Sequence, residues 1–530
     1  MCSPANSSSS SSAEVSPPTP HAHIQPVDAI SDPRVEIMNR RRADWRFGPV
    51  IYQIFVDRFA PSTRLDTKAQ HYQHPRRLRA WNELPEQRGY NQDERLSYGE
   101  LDFWGGDLAS VHQRLSHIEK LGAEVVYLNP IFHAYTNHKY DGFSYFEIDP
   151  QFGSKDDLRA LCDDLHDRGR RLILDGVFNH LGRRSPLFQR AASSPDHPER
   201  HWFYFDENHR NGYRGWRNAA NLPEIRLEHP EVRRIVIDDP DSAVRTWLRD
   251  PGIDGWRLDV APDIGFDFLR LITEAAHEVR PDSCVIGECW NYPEQWMNSL
   301  DGVMNMHTRM LILGLLDGRI SPARMGRLLE RMVEDAGIEG ILRSHMVLDN
   351  HDLPRIASIL PEDKRHLAFH LQFTLPGAPV VYYGSELGME GGNDPLNRAP
   401  MRWDLLRDDN PTYVLLQRLV KLRQENPALR IGDFRILDGE RLLAFLRTTD
   451  RARESLIVVV NPSHEHRHEL LPVRDSRLMD AARVQCLLTG DQRSMHCGTI
   501  EVDLPAFSCR IYRTLDQGSP HGYSAFKRVR

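Results

Sequence analysis

The chain alternates short, continuous apolar runs with longer segments in which apolar residues recur every three or four positions. The runs are of strand length and rich in β-branched residues, which is typical of strands buried on both faces. Eight of them lie between residues 50 and 383, at 50–56, 125–128, 172–174 with Val177, 253–258, 284–286, 303–304, 346–348 and 380–383.

The segments between these runs predict amphipathic helices. Asp107 can cap a helix whose apolar positions recur every three or four residues from Leu108 to Leu121, and Gly122 is suited to end it. The next segment of this kind ends at Gly169, directly before the third apolar run. Eight strands that alternate with helices favour a parallel (β/α)8 barrel, with a doubly wound open sheet as the structural alternative.

Parts of the chain depart from this alternation and suggest its domain organisation. Residues 1–45 are rich in Ser and Pro and offer little to bury, so we expect a disordered tail before a barrel at 46–430. An aromatic-rich insertion at 179–222 predicts a small subdomain within the barrel. Short alternating strands at 431–514 predict a C-terminal antiparallel β-sandwich, and 515–530 reads as a polar, basic tail.

Composition narrows the function classes. The 530 residues carry a formal net charge of -8 without a long Lys/Arg run, so we do not expect a nucleic-acid partner. The longest apolar stretches are of strand length, so we expect no membrane span. Seven cysteines without a CxxC pair, and a first segment that lacks the features of a signal peptide, lead us to expect reduced thiols in a cytoplasmic protein.

The polar residues that close the predicted strands form the main chemical signal. In a (β/α)8 barrel, reactive groups project from the C-terminal ends of the strands onto one rim. The third, fourth, fifth and seventh runs end in such groups, which are Asp175 and His180, Arg257 and Asp259, Glu288, and His351 and Asp352. A single acidic residue after a strand often only caps the next helix, but four strand ends together weaken that reading.

This set of side chains suits the hydrolysis of glycosidic bonds, which needs one carboxylate at the sugar carbon and a protonated carboxyl at the leaving oxygen. Asp259 is the better candidate for the nucleophile because Arg257, two residues earlier on the same strand face, would keep it ionised. Glu288 is the better candidate for the acid because its sequence neighbours are apolar and aromatic.

The four strand ends resemble the signature regions of the α-amylase family of glycoside hydrolases, retaining α-glucan enzymes built on a (β/α)8 barrel. The resemblance covers roughly residues 48–515 and implies that Asp259 is the nucleophile, Glu288 the acid/base and Asp352 the third essential carboxylate. It further implies substrate-binding roles, mostly at subsite -1, for Tyr140, Asp175, His180, Arg257 and His351. The insertion corresponds to the family's domain B and the sandwich to its domain C.

A narrower similarity is carried by residues 103–107, 137–141, 303–305 and 391–395, which resemble the cyclomaltodextrinase, neopullulanase and maltogenic amylase group. It implies that Asp394 and Arg398 hold subsite -2 and that Trp290 lies on the leaving-group side. Members of the group usually carry an N-terminal β-sandwich, where this sequence has only the predicted tail. The residues after the nucleophile, 260–263, differ from the group, and the resemblance implies that they face the leaving-group sugar.

We therefore predict a retaining α-glucan hydrolase that acts on α-1,4 bonds of cyclodextrins, maltooligosaccharides or pullulan, and the sequence leaves action on α-1,6 bonds open. A glycosyltransferase of the same family is the alternative, and a non-catalytic sugar-binding or partner-binding member is a more distant one. Retaining chemistry requires no cofactor. A structural calcium is compatible with the resemblance without being implied by it, and the sequence does not choose between monomer and homodimer.

Two weaker signals have ordinary explanations. His464 to His468 matches HExxH, but it follows a strand and an Asn-Pro turn, whereas a zinc protease needs this motif on a helix. The aromatic residues of the insertion could stack on sugar rings or form the core of a small domain, and the sequence leaves both readings open. They are Trp202, Phe203, Tyr204, Phe205, Tyr213 and Trp216.

Overall fold

The computed structural model describes residues 32–515, so residues 1–31 and 516–530 of the predicted tails at 1–45 and 515–530 lie outside the described residues. Its central sheet has eight parallel strands: β1 (Ile51–Ile54), β2 (Val125–Leu128), β3 (Arg171–Gly176), β4 (Gly255–Leu258), β5 (Cys284–Gly287), β6 (Gly302–Val303), β7 (His345–Val347) and β8 (Ala378–Tyr382). They pair in the order β6-β5-β4-β3-β2-β1-β8-β7. A parallel bridge between Met304 and His345 joins the two ends of this order. The (β/α)8 barrel is confirmed, and the open sheet is excluded.

The helices pack around the barrel with their apolar faces inward. Those of six or more residues are α1 (Pro33–Ala43), α2 (Leu108–Gln113), α3 (Leu115–Leu121), α4 (Lys155–Asp167), α5 (Pro186–Ser193), α6 (Ala243–Arg249), α7 (Phe266–Val279), α8 (Met306–Leu316), α9 (Pro322–Ala336), α10 (Ile338–Arg343), α11 (Glu362–Thr374) and α12 (Pro411–Glu425). Asp107 caps α2 by accepting a 2.8 Å hydrogen bond from the Ser110 amide, and Gly122 ends α3 in the left-handed region. The single helix predicted there is broken at Arg114, which leaves helical geometry.

The C-terminal region is a sandwich of two antiparallel sheets. Its strands are β9 (Asp433–Leu437), β10 (Leu443–Thr448), β11 (Leu456–Asn461), β12 (Arg467–Pro472), β13 (Arg483–Cys486), β14 (Gln492–Ser494), β15 (Thr499–Leu504) and β16 (Ser508–Thr514). Six of them form one sheet in the order β9-β10-β11-β16-β13-β14, and β12 pairs with β15. A buried cluster that includes Leu446, Val459, Ile500 and Val502 fills the space between the two sheets.

The predicted disorder is wrong for residues 33–43, which form α1. Asp32 caps this helix by accepting a hydrogen bond from the Arg34 amide, and Met38 is buried against Phe47, Leu342 and Ile431. The surrounding sequence offers few apolar residues, so its composition resembles that of a solvated segment. The helix α1 is held in place instead by a few apolar contacts and by arginines that pair with carboxylates in distant parts of the chain.

The insertion after β3 is compact and has its own aromatic core. Phe188, on α5, packs against Phe203, Phe205 and Tyr213, with ring centroids 4.8–5.6 Å apart. Isolated bridges tie the insertion together and to its base, including one between His180 and Glu224. The sequence pattern did not anticipate the long connection from β1 to α2, which contains short strand pairs at 77–78 with 102–103 and at 90–91 with 96–97.

Candidate active site

Arg257 lies at the centre of the charged groups on the barrel rim. The parallel register sets it beside Asp175 on β3 and brings the end of β4 next to the end of β5. Its Nη1 donates hydrogen bonds to Asp175 Oδ1 at 2.8 Å and to Asp259 Oδ1 at 2.9 Å, and its Nη2 lies 3.0 Å from Glu288 Oε2. The Arg257 side chain is fully buried, so one guanidinium holds three carboxylates in a site with little access to water.

The three carboxylates carry more negative charge than one guanidinium can neutralise. Burial raises the pKa of Asp259 well above its ordinary value, Arg257 opposes that shift, and the nearby Glu288 adds to it. Burial likewise raises the pKa of Asp175 against the opposing effect of Arg257. Without bound substrate, desolvation thus outweighs the effect we expected from Arg257 alone. The pKa values of Asp175 and Asp259 are therefore both higher than those of isolated carboxyls.

Glu288 is held by polar partners as well as by the apolar surroundings that the sequence indicated. Its Oε2 accepts a 3.0 Å hydrogen bond from the Val260 amide, and its Oε1 accepts one of 2.8 Å from Trp290 Nε1. Val260 has φ 42° and ψ 47°, a left-handed conformation that is costly for a β-branched residue. This turn, directly after Asp259, directs the amide toward Glu288 and so couples the two carboxylates through the backbone.

A chain of hydrogen bonds links Tyr140, Asp175 and His351. The Tyr140 hydroxyl lies 3.0 Å from Asp175 Oδ2 and 2.6 Å from His351 Nε2. His351 Nδ1 accepts hydrogen bonds from the side-chain amides of Gln53 and Asn129, each at 3.1 Å, so its proton resides on Nε2. Burial lowers the pKa of His351 well below its ordinary value, so the imidazole is neutral and donates through Nε2.

Arg398 joins the two remaining carboxylates to this chain. Its Nη2 donates to Asp352 Oδ1 at 3.3 Å, and its Nη1 lies 3.2 Å from Asp394 Oδ1. Its Nε donates to the His351 carbonyl at 2.8 Å, which fixes the guanidinium against the end of β7. The Asp352 side chain is 32% exposed, the most open of the three predicted catalytic carboxylates.

His180 and Trp290 complete the set on the other side of Asp259. His180 Nε2 lies 4.0 Å from Asp259 Oδ2 and has no hydrogen-bond partner within residues 32–515, although the side chain is buried. Burial lowers the pKa of His180 to about 3, so it is neutral at ordinary pH. Trp290 is 52% exposed beside Glu288. The eleven residues predicted from the sequence therefore all lie at one end of the barrel.

The sequence analysis missed three residues of this network. Tyr127, on β2, donates a 2.7 Å hydrogen bond to Asp175 Oδ2 and was counted only as part of an apolar run. Gln53, within β1, and Asn129, directly after β2, orient His351. Asn129 closes the run at 125–128, so reading the polar residue at the end of every run would have found it, whereas Gln53 lies inside the run at 50–56.

The HExxH match has no zinc-site geometry. Its last two residues lie on β12, and its histidines pair separately with carboxylates. His466 Nε2 is 3.0 Å from Asp503 Oδ1, and His468 Nε2 is 2.9 Å from Glu501 Oε1. Within residues 32–515, no three His, Cys, Asp or Glu side chains are grouped so as to hold a metal ion, and no helix there is long and apolar enough to cross a membrane.

Comparisons with known proteins show which family the chain resembles. Residues 53–405 match the family model described as alpha amylase, catalytic domain. The chain is 34% identical over 459 residues to a cyclomaltodextrinase from a Bacillus species. This alignment covers 83% of this chain and 75% of the relative. It is 33% identical over 460 residues to an intracellular maltogenic amylase from Bacillus subtilis, covering 83% of this chain and 73% of the relative.

A solved structure supports the same assignment. The ligand-free cyclic alpha-maltosyl-(1→6)-maltose hydrolase from Arthrobacter globiformis superimposes with a TM-score of 0.74 at 28% identity, covering 89% of this chain and 99% of that one. The region that matches the family model, residues 53–405, includes the barrel strands from β2 to β8 and every carboxylate of the rim cluster. The chain therefore belongs to the alpha-amylase family.

Proposed function

We propose that this protein hydrolyses α-glucosidic bonds in short or cyclic α-glucans and retains the anomeric configuration. The observation that carries the proposal is the Arg257 cluster, in which one buried guanidinium lies within 3.0 Å of both Asp259 and Glu288. A retaining glycosidase needs two carboxyl groups close together, one to attack the sugar and one to exchange a proton.

The reaction follows from the positions of these two groups. Asp259 attacks the anomeric carbon while the bond to the leaving oxygen breaks, and Glu288 transfers its proton to that oxygen. The resulting Glu288 carboxylate then takes a proton from water, whose oxygen attacks the same carbon and displaces Asp259. Two inversions give net retention, and Glu288 ends protonated as it began.

The Arg257 guanidinium positions the two carboxyl groups of this assignment, since it lies 2.9 Å from Asp259 and 3.0 Å from Glu288. Burial raises the pKa of Asp259 and Arg257 opposes that shift. A bound sugar whose anomeric carbon becomes positive would in turn favour the ionised form of Asp259.

Cyclodextrins, maltooligosaccharides and pullulan are the proposed substrates, and no cofactor takes part. The names of the relatives support this range, since they include cyclomaltodextrinases, maltogenic amylases and a neopullulanase from Thermoactinomyces vulgaris. We also propose a cytoplasmic location, supported by the free state of all six cysteines among the described residues. The monomer and the homodimer remain alternatives for the assembly.

The test is a product profile on β-cyclodextrin, pullulan, starch and maltotriose, resolved by chromatography and compared with Asp259→Ala. We expect the variant to lose at least about 10⁴-fold in kcat at unchanged thermal stability. Asp503→Ala, which removes an exposed carboxylate of the sandwich, is the matched control and should keep full activity. Turnover of sucrose or trehalose alone, or substantial hydrolysis by the Asp259 variant, would contradict the proposal.

A further inference from the structure

One of the six aromatic residues that mark the insertion is placed differently from the rest. Phe203, Phe205 and Tyr213 build the insertion's core with Phe188. Trp202 and Tyr204 pair with carboxylates of the segment that follows the insertion, Glu231 and Glu228. Trp216 contributes to neither group.

Trp216 instead lies against the catalytic cluster. Its ring stacks on the imidazole of His180, with centroids 6.2 Å apart and an interplanar angle of 29°. His180 in turn lies 4.0 Å from Asp259, so the indole is one side chain removed from the predicted nucleophile. The Trp216 side chain is half-buried, with the Arg217 guanidinium carbon 5.0 Å from its ring centroid, so part of the indole is still reachable from solvent.

A hydrogen bond places this indole on the leaving-group side. Trp216 Nε1 donates to Asp263 Oδ2 at 3.1 Å. Asp263 belongs to the segment whose first residue, Val260, donates its amide to Glu288, the group that reaches the leaving oxygen. Arg398 and Asp394 are tied to Asp352 instead, and no contact joins that pair to Trp216 among the described residues.

The backbone around Trp216 holds the ring in this position at a conformational cost. Arg217 and Asn218 are both left-handed, with φ values of 47° and 61°. The Trp216 amide donates to the Leu222 carbonyl at 2.9 Å, and Gly215 forms a bridge with Pro223. Strained backbone of this kind persists where its surroundings fix it, and it is concentrated at functional sites.

We propose that Trp216 is an acceptor-binding residue, a platform for the sugar ring that leaves in the first step or enters in the second. Its indole face packs on the apolar face of that glucosyl unit, and the bond to Asp263 sets its tilt. The inference rests on the proposed function. It concerns only where the ring on the leaving-group side binds, and not the chemistry at Asp259.

Transfer to a sugar follows the same balance of bonds as hydrolysis. The ester bond between Asp259 and the anomeric carbon breaks, and a bond from that carbon to an acceptor hydroxyl oxygen forms. The hydroxyl proton passes to Glu288. By holding the acceptor ring beside this carbon, Trp216 favours a sugar over water at the intermediate.

The test separates the two sides of the bond by using α-maltosyl fluoride, a donor that has no leaving sugar. For Trp216→Ala we expect kcat/KM on maltotriose to fall about 30-fold, while hydrolysis of the fluoride changes less than threefold. Transfer from the fluoride to methyl α-glucoside should fall by a similar factor relative to hydrolysis. Trp202→Ala removes an indole of the same insertion away from the cluster, and it should leave all three rates unchanged.

Equal losses on maltotriose and the fluoride, or no loss on either, would overturn the inference. If Trp216→Ala does not fold, Trp216→Phe decides the question, since it keeps a ring but loses the bond to Asp263. A three- to tenfold loss of transfer with fluoride hydrolysis retained supports the platform, and parallel changes refute it. A wild-type enzyme that hydrolyses neither donor would instead refute the proposed function itself.

Discussion

The two sides of the cleavage point are built in different ways. On the side of Asp352, Arg398 bonds to two carboxylates and a backbone carbonyl, and His351 accepts two amide hydrogen bonds. On the leaving-group side, Trp290 is 52% exposed, and Trp216 is fixed by one hydrogen bond to the exposed Asp263. One side is a network of charges and directed hydrogen bonds, and the other is a pair of partly exposed indoles.

This difference teaches where selectivity resides. Groups held by paired charges and directed hydrogen bonds bind only a ligand whose hydroxyls can replace the partners that these groups lose. A buried polar group left without a partner is costly. Aromatic faces accept any ring with an apolar face in many orientations. We therefore expect strict recognition of the glucosyl units retained on the enzyme and tolerance toward the leaving or accepting sugar.

Among the tests that compare the two sides, the largest effect should come from Arg257, which serves both sides equally. Arg257→Met leaves Asp175, Asp259 and Glu288 without their common cation, and we expect at least a 10³-fold loss of kcat on every substrate. Loss of a buried partner should also lower the free energy of unfolding by about 3–5 kcal/mol at pH 7. Denaturant titration and rates on maltotriose and α-maltosyl fluoride check this, and a selective loss on only one donor would contradict a common role.

A smaller effect, confined to one side, should follow from Arg398→Lys. The lysine keeps the charge but cannot reach Asp352, Asp394 and the His351 carbonyl together. We expect kcat/KM to fall about 100-fold on both maltotriose and α-maltosyl fluoride, with the ratio of transfer to hydrolysis unchanged. Arg510→Lys, on β16 of the sandwich, is the control. A shifted product ratio would mean that the two sides are not independent.

The smallest effect concerns His180, beneath Trp216. Its folded-state pKa of about 3 lies below the ordinary 6.5. Between these pH values the histidine therefore binds a proton in the unfolded chain but not in the folded protein. The stability that depends on a neutral His180 is complete above pH 6.5 and is lost as the pH falls toward 3. At pH 5 the loss is about 2 kcal/mol. When the pH is lowered from 7 to 5, the free energy of unfolding of the wild type should therefore fall by about that amount more than that of His180→Gln. Equal pH dependence in both proteins would show that this histidine is not the source.

The barrel and its rim could be predicted because their signals are local. Each strand is buried on both faces and so reads as a continuous apolar run, and a polar residue such as Asp259 or Glu288 stands out at its end. The family resemblance then assigned residues such as Asp394 and Arg398, which no periodicity singles out. Both kinds of signal depend on residues that are close together in sequence.

What could not be predicted depends on partners that are distant in sequence or on backbone geometry. The helix at 33–43 is stabilised by Asp433 and Asp450, which no local pattern reveals. The hydrogen bond from the Val260 amide to Glu288 requires a left-handed turn, which a valine in the sequence does not predict. The separate position of Trp216 among six aromatic residues likewise becomes visible only once the insertion is folded.

The pairing of the first elements with the last also constrains how the protein is made. Strand β1 hydrogen-bonds with β8, and Arg41 of α1 bonds to Asp433, 392 positions later. At a synthesis rate of about 5–20 residues per second, that partner leaves the ribosome roughly 20–80 s after the helix does. Until β8 is made, the β1 edge that it covers is unpaired, and Arg42 lacks Asp450 for longer still. The nascent chain must therefore keep these early segments from associating wrongly, and the ring closes only after β8 has been synthesised.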